Sequence, residues 1–237
     1  MLFQILLQIE KLLTLSLFSL DTVIIAIDGQ ASTGKSTQAK KIAVNLNYDY
    51  RDSGAYYRAI TFYLLNNDIN FDLNISDEVL DKINIKQTYN EGQFRIYLND
   101  YDVTDRIRGH KVSLNVSNYA KKPEIRKFVF NQLRKSAESK SLVVDGRDIG
   151  TVVFPDADFK FFLVAEPRIR AERRHKQIND DSIKVNVIEE EIRQRDETDS
   201  TREIAPLRKA KDAFKIDVSN LTIEEVFIKI LQKIKSD

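Results

Sequence analysis

Between Val23 and Thr37 the sequence reads VIIAIDGQASTGKST, and this stretch is dense in residues that could do chemistry. Gly29, Gln30, Ala31, Ser32, Thr33, Gly34, Lys35 and Ser36 fit the phosphate-loop pattern G-x-x-x-x-G-K-S/T, and Thr37 follows them. Glycines let the backbone curl until successive N–H groups converge on a phosphate chain, and the helix start behind them adds partial positive charge. Lys35 would reach the β- and γ-phosphates, and the Ser36 hydroxyl would ligate Mg²⁺. The pattern predicts binding of a nucleoside triphosphate. A glycine turn beside a surface lysine is the plain alternative, and the strand-like run before the loop and the helical spacing after it weigh against that.

A second group begins at Leu142–Val143–Val144–Asp145, an apolar run ending in an acid, which would set a carboxylate beside loop-bound metal. Its continuation, Gly146–Arg147–Asp148–Ile149–Gly150, puts a guanidinium and a further carboxylate in one short loop. Arg58 and Arg126 each fall about one turn into a predicted helix. Arg170, Arg173 and Arg174 follow at three- and four-residue spacing on one predicted helix face, and Arg195, Asp199 and Arg202 cluster farther on. Guanidinium forks match phosphate oxygens in pairs and stay charged. Singly, each arginine reads as a solvated surface charge; as a set beside a phosphate loop, they read as an anion site.

Elements must hold these groups in place. Val23–Asp28 is a strand pattern, and Ala39, Ile42, Ala43 and Leu46 mark the helix after the loop. Tyr48–Asp52 is a short strand, and Ser53–Gly54–Ala55 opens a helix to about Asn66. Residues 67–116 change character, with no long helical period. Phe94, Ile96 and Leu98 alternate, and Asn99–Asp100 offers a turn, so this segment reads as a small antiparallel sheet. Pro123 begins a helix to about Ser139. Strands follow at Leu142–Asp145 and Phe159–Val164, then a helix from Arg168 to Gln177 opened by Pro167. A polar turn at Asn179–Ser182 leads to a charged helix from Val187 to Asp196. Ala213–Asp217 is a strand and Thr222–Lys235 a helix. Five β-runs alternating with helices predict an α/β fold with a five-stranded, doubly wound parallel sheet.

Composition bounds the rest. The chain has 237 residues, 42% apolar and 31% charged, with a net charge of +1, so nothing electrostatic points to a nucleic-acid partner. No cysteine is present, which excludes disulfides, thiolate metal sites and cysteine nucleophiles. His110 and His175 are isolated and read as polar surface residues. Residues 1–20 are leucine-rich, but Glu10 and Lys11 interrupt them, leaving less than the ~18-residue uncharged run of a membrane span. They lack a basic start and a small-residue cleavage site. The expectation is a dispensable extension, with no stable membrane association and a cytoplasmic location.

The stretches IDGQASTGKST, DSGAYYRA, PEIRK, VVDGRDIGTVVFPDADFKFFL and RQRDETDSTREIAPL together resemble the bacterial-type cytidylate (CMP) kinases. The resemblance runs from about Val23 to Leu231. DGRDIGTVVFPDAD is its specific part, since adenylate, guanylate, thymidylate and shikimate kinases share only the loop. It implies a P-loop kinase core at 21–66 and 117–237, a nucleotide-monophosphate-binding insertion at 67–116, and an arginine-rich helical lid near 168–185. By the same resemblance, Ser53 sits near the acceptor nucleotide and Arg58, Arg147 and Arg202 hold its α-phosphate. Ser117, Arg126 and Asp148 recognise the cytosine edge, and Arg195 and Asp199 meet the ribose. Arg170, Arg173 and Arg174 lie on the lid over ATP. Gln30 replaces the usual proline, Ser32–Thr33 replace smaller residues, and Thr198 stands where many members have arginine.

The implied reaction is phosphoryl transfer from ATP to CMP or dCMP by a monomeric enzyme, with Mg²⁺ held by Ser36 and Asp145. Lys35, Asp145, Arg147, Arg173 and Arg174 are the expected catalytic residues. A kinase for another acceptor such as UMP is the nearest alternative, and a nucleotide-binding module without kinase activity is the alternative from another class. No N-K-x-D guanine-reading segment occurs, which argues against a GTPase switch.

Overall fold

A computed structural model describes residues 22–90, 92–178 and 182–236. The extension expected at residues 1–20 lies outside the described residues, as does most of the turn expected at 179–182.

Five parallel strands stand in the order β2-β6-β1-β7-β8, where β1 is Ile24–Gly29, β2 Asp49–Asp52, β6 Leu142–Gly146, β7 Phe159–Val164 and β8 Phe214–Asp217. The central strand pairs Ile24 with Leu142 on one side and Ile25 with Phe159 on the other. It is covered on both faces, which is why it reads as an unbroken apolar run and not as an alternation. On one face Ile25, Ile27, Val143 and Phe161 pack against Ala39, Ile42 and Ala43 of α1 (Lys35–Leu46) and Val226 and Ile230 of α8 (Ile223–Ser236). On the other, Ala26, Leu142 and Val144 meet Ile60 and Leu64 of α2 (Ser53–Asn66) and Val129 and Leu133 of α5 (Pro123–Ser136). This is the doubly wound α/β sheet that the sequence predicts.

Within 67–116, β3 (Ile85–Asn90), β4 (Gln93–Leu98) and β5 (Tyr101–Asp102) form an antiparallel sheet. Asn99 and Asp100 take φ of 49° and 67°, the left-handed pair that a two-residue hairpin turn requires. Ile85, Ile96, Leu98, Val103 and Ile107 join the same core as α2 and α5, so the insertion shares the body's apolar interior. A buried side-chain amide fastens it to the sheet edge. Gln87 Oε1 accepts the Asp52 N–H and Gln87 Nε2 donates to the Tyr50 carbonyl, each at 3.2 Å.

Two helices depart from the sequence expectation. His110–Tyr119 is helical (α4), although no helical period was expected through residue 116, and it crosses the anticipated boundary at 116/117. Val112, Val116 and Tyr119 bury one face at helical spacing. Ser113, Asn115, Ser117 and Asn118, poor helix formers, take four of the other seven positions and mask the signal. The charged helix also extends beyond Val187–Asp196 to Val185–Thr201 (α7), which places Asp199 on it. With α6 (Pro167–Ile178) it forms a hairpin whose own small core is Ala171, Ile188 and Ile192. A short α3 (Asp77–Leu80) and a tight turn at Arg106–Arg108 complete the insertion. Among the described residues, no helix is long and apolar enough to cross a membrane.

Candidate active site

Because the strands are parallel, the loops after β1, β2 and β6 open at one edge of the sheet, where open α/β folds gather ligands. Gly29 takes φ +151°, and a Cβ there would stand 2.2 Å from the Leu163 carbonyl oxygen, so only glycine fits beneath the loop. Gly34 (φ +86°) turns the chain into α1. Lys35 is buried, its Nζ donating to the Gln30 carbonyl at 2.6 Å. Burial and, next, the Arg147 charge lower its pKa to about 7. Thr33 Oγ1 also donates to Gln30, at 3.0 Å.

Ser36 Oγ donates to Asp145 Oδ2 at 2.8 Å, and the Tyr50 phenol donates to Asp145 Oδ1 at 2.7 Å. Burial, reinforced by Asp52, raises Asp145 to about 6, against the pull of Tyr50, Lys35 and Ser36. A hydroxyl and a carboxylate in contact are hard oxygen donors that suit Mg²⁺. Among the described residues no group of three or more His, Cys, Asp or Glu could cage a metal. This donor set therefore fits an ion that takes its other ligands from phosphate and water.

A cleft of about 340 Å³ lies between this edge, α2 and α4. Ser53 donates to the Asp145 carbonyl at 2.8 Å, and Arg58 donates to Ser113 Oγ at 2.9 Å. Arg147 Nε bonds Asp199 at 2.8 Å, while Arg202 reaches Asp148 at 3.3 Å and Asp199 at 3.8 Å. Arg126 does not line this cleft. It is 1% exposed and pairs with Asp148 from behind, its guanidinium lying 5.4 Å from the Tyr57 ring and 5.1 Å from the Phe130 ring. Arg195 keeps a buried Nε with no partner, and burial and Arg147 lower its pKa. Burial pushes Asp199 up, but Arg147 and Arg195 outweigh it and hold the carboxyl below its ordinary range. Ser117 and Arg174 also face the cleft. Counted by formal charge, six arginines and Lys35 confront four aspartates there, a cationic excess suited to an anion.

A second groove, of about 600 Å³, runs along Thr33, Gly34, Thr37 and Gln38 and is walled by Arg173 and Lys176. Both cavities are lined by Ser32, Lys35, Ser36, Asp52 and Arg108. They meet at the phosphate loop.

The three arginines of α6 do not share one face toward a ligand, which corrects the sequence expectation. Arg170 is 1% exposed and donates to the carbonyls of Ala165 (2.9 Å) and Ala31 (3.1 Å) and to Asp196. Asp196 in turn accepts the Ala31 N–H at 3.0 Å, so the pair grips the loop's backbone. Arg173 donates to the carbonyls of Val218 (2.7 Å) and Ser219 (3.2 Å), and only Arg174 turns to the 340 Å³ cleft. Helical neighbours three or four apart diverge here because α6 is wedged among three different structures. The sequence reading gave no site role to Asp52 and Arg108, which line both cavities, nor to Asp28, Tyr50 and Asp196, which hold the surrounding groups from behind.

The cytidylate kinase profile matches residues 25–236. A cytidylate kinase of Fusobacterium nucleatum is 44% identical over 219 residues, covering 91% of this chain and 99% of that protein. One from Clostridioides difficile is 45% identical over 214 residues, covering 90% and 98%. The crystal structure of an uncharacterised protein from Eubacterium ventriosum shares the fold at 17% identity, with TM-score 0.51 over 92% of this chain and 100% of that one. The match over nearly all the described residues and the paired cavities at the phosphate loop lead to one conclusion: the chain belongs to the cytidylate kinase family.

Proposed function

We propose that the protein transfers a phosphoryl group from Mg-ATP to CMP or dCMP, giving ADP and CDP or dCDP, as a cytoplasmic monomer. The observation that carries this reading is the meeting of the groove along the phosphate loop and an arginine-lined cleft at Lys35 and Ser36. Donor and acceptor phosphates bound there would face each other across the loop.

A phosphate monoester is already dianionic near neutral pH, so the acceptor needs no general base. The obstacle is repulsion between two anions and the charge spread over the transferring group. Lys35 supplies positive charge at the junction, and Arg174 does so from the acceptor side. Mg²⁺ bound through Ser36 and Asp145 would neutralise charge on the β- and γ-phosphate oxygens. Arg58, Arg147 and Arg202 orient the acceptor's α-phosphate, and Arg195 and Asp199 hold its ribose. Ser117 and Asp148 read the cytosine edge; Arg126, buried behind Asp148, fixes that carboxylate. Arg173 walls the triphosphate groove, and Arg170 serves the loop through its backbone.

The test is ADP release with Mg-ATP and CMP, dCMP, UMP or AMP. Turnover concentrated on CMP and dCMP is the expected result. Equal turnover with UMP would discard the role given to Asp148, and saturable ATP binding without turnover on any acceptor would overturn the kinase. Arg147→Ala should lower kcat/KM for CMP by about 10²–10³, the usual loss for one charge-stabilising donor.

A further inference from the structure

We propose that Tyr50 is a positioning residue for the metal-binding carboxylate of Asp145. The inference rests on the reading of Ser36 and Asp145 as the protein's share of a Mg-nucleotide site. Tyr50 lies on β2, is 1% exposed, and lines neither cavity, so it acts on a ligand only through another group. Its phenol donates to one oxygen of Asp145 at 2.7 Å while Ser36 donates to the other at 2.8 Å. Two bonds on different oxygens stop the carboxylate rotating about its Cβ–Cγ bond. Ser36 is itself a ligand-facing hydroxyl; Tyr50 is the anchor that belongs wholly to the protein.

The phenol is held in turn. Its ring meets Tyr89 edge-on at 5.4 Å and Phe94 at 6.1 Å, both from the β3–β4 hairpin. Lys40 of α1 lies 5.7 Å from the Tyr50 ring centre and 4.9 Å from that of Phe94. The Tyr50 carbonyl accepts the Gln87 amide, which fixes the backbone too. An apolar ring would fill this slot as well. A buried hydroxyl is favourable there only because it has a partner, and that partner is Asp145.

Tyr50→Phe keeps the ring and removes one O–H. Binding of Mn²⁺ to the full chain with a non-hydrolysable ATP analogue, read from the paramagnetic resonance of free Mn²⁺, should weaken by roughly 10- to 100-fold, as when metal ligands lose an outer partner. Binding of the same analogue without metal should stay unchanged. In turnover, the Mg²⁺ concentration for half-maximal rate should rise, while kcat at saturating Mg²⁺ is retained. Phe94→Leu is the packing control: it loosens the ring's surroundings, leaves the phenol in place, and should lower Tm without moving Mn²⁺ affinity. Unchanged Mn²⁺ affinity in Tyr50→Phe overturns the inference, and so does an equal loss in Phe94→Leu. If the wild-type chain does not bind Mn²⁺ with the analogue, the metal reading itself fails and takes this inference with it.

Discussion

Asp28 stands one residue before the phosphate loop, and its two oxygens accept the N–H groups of Ile149 (2.9 Å) and Gly150 (2.7 Å). It thereby ties the loop carrying Arg147 and Asp148 to the strand that leads into the phosphate loop. Burial pushes its pKa up to about 7, against those two bonds. An unfolded aspartate titrates near pH 4, so between about pH 4 and 7 the folded chain holds a proton that the unfolded chain has lost. Stability from this group therefore falls as pH rises through that window. The urea midpoint of wild type should drop more between pH 4.5 and 7 than that of Asp28→Asn; equal drops would show that Asp28 titrates normally. At this scale the phosphate loop was legible because its backbone dictates Gly, Lys and Ser at fixed spacing. Asp28 and Asp196 were not, since their partners lie 121 and 165 residues away along the chain.

At the scale of elements, the α6–α7 hairpin is tied to the phosphate loop by the Arg170–Asp196 pair around Ala31. Arg170→Ala would strand Asp196, whose side chain is 13% exposed, beside an uncompensated backbone carbonyl. The expected loss is about 3–5 kcal/mol of unfolding free energy, the usual effect of halving a buried ion pair. Arg174→Ala, on an exposed side chain four residues on, should leave Tm nearly unchanged while lowering turnover. Denaturation and steady-state kinetics on the two variants separate these roles. Three- and four-residue spacing told that a helix carries these arginines, but not what surrounds it. The strands were legible for the converse reason: β1, β6 and β7 are apolar enough to identify wherever they pack. Helix α4, half polar and short, was not.

At the scale of the whole molecule, the insertion's apolar residues share one core with α2 and α5. A peptide of residues 67–116 should therefore lack dispersed amide resonances on its own; a folded spectrum would contradict this reading. The sheet has a further consequence, for biosynthesis. Strand β1 is flanked by β6 and β7, so Ile24 waits for Leu142 and Ile25 for Phe159. A ribosome adding about 5–20 residues per second needs roughly seven to twenty-seven seconds to span the 134 residues from Ile25 to Phe159. Until Leu142 is made, the central strand of the nascent chain has neither neighbour, and until Phe159 it has at most β6. Nucleotide can thus act as a folding ligand only once translation has passed Val164.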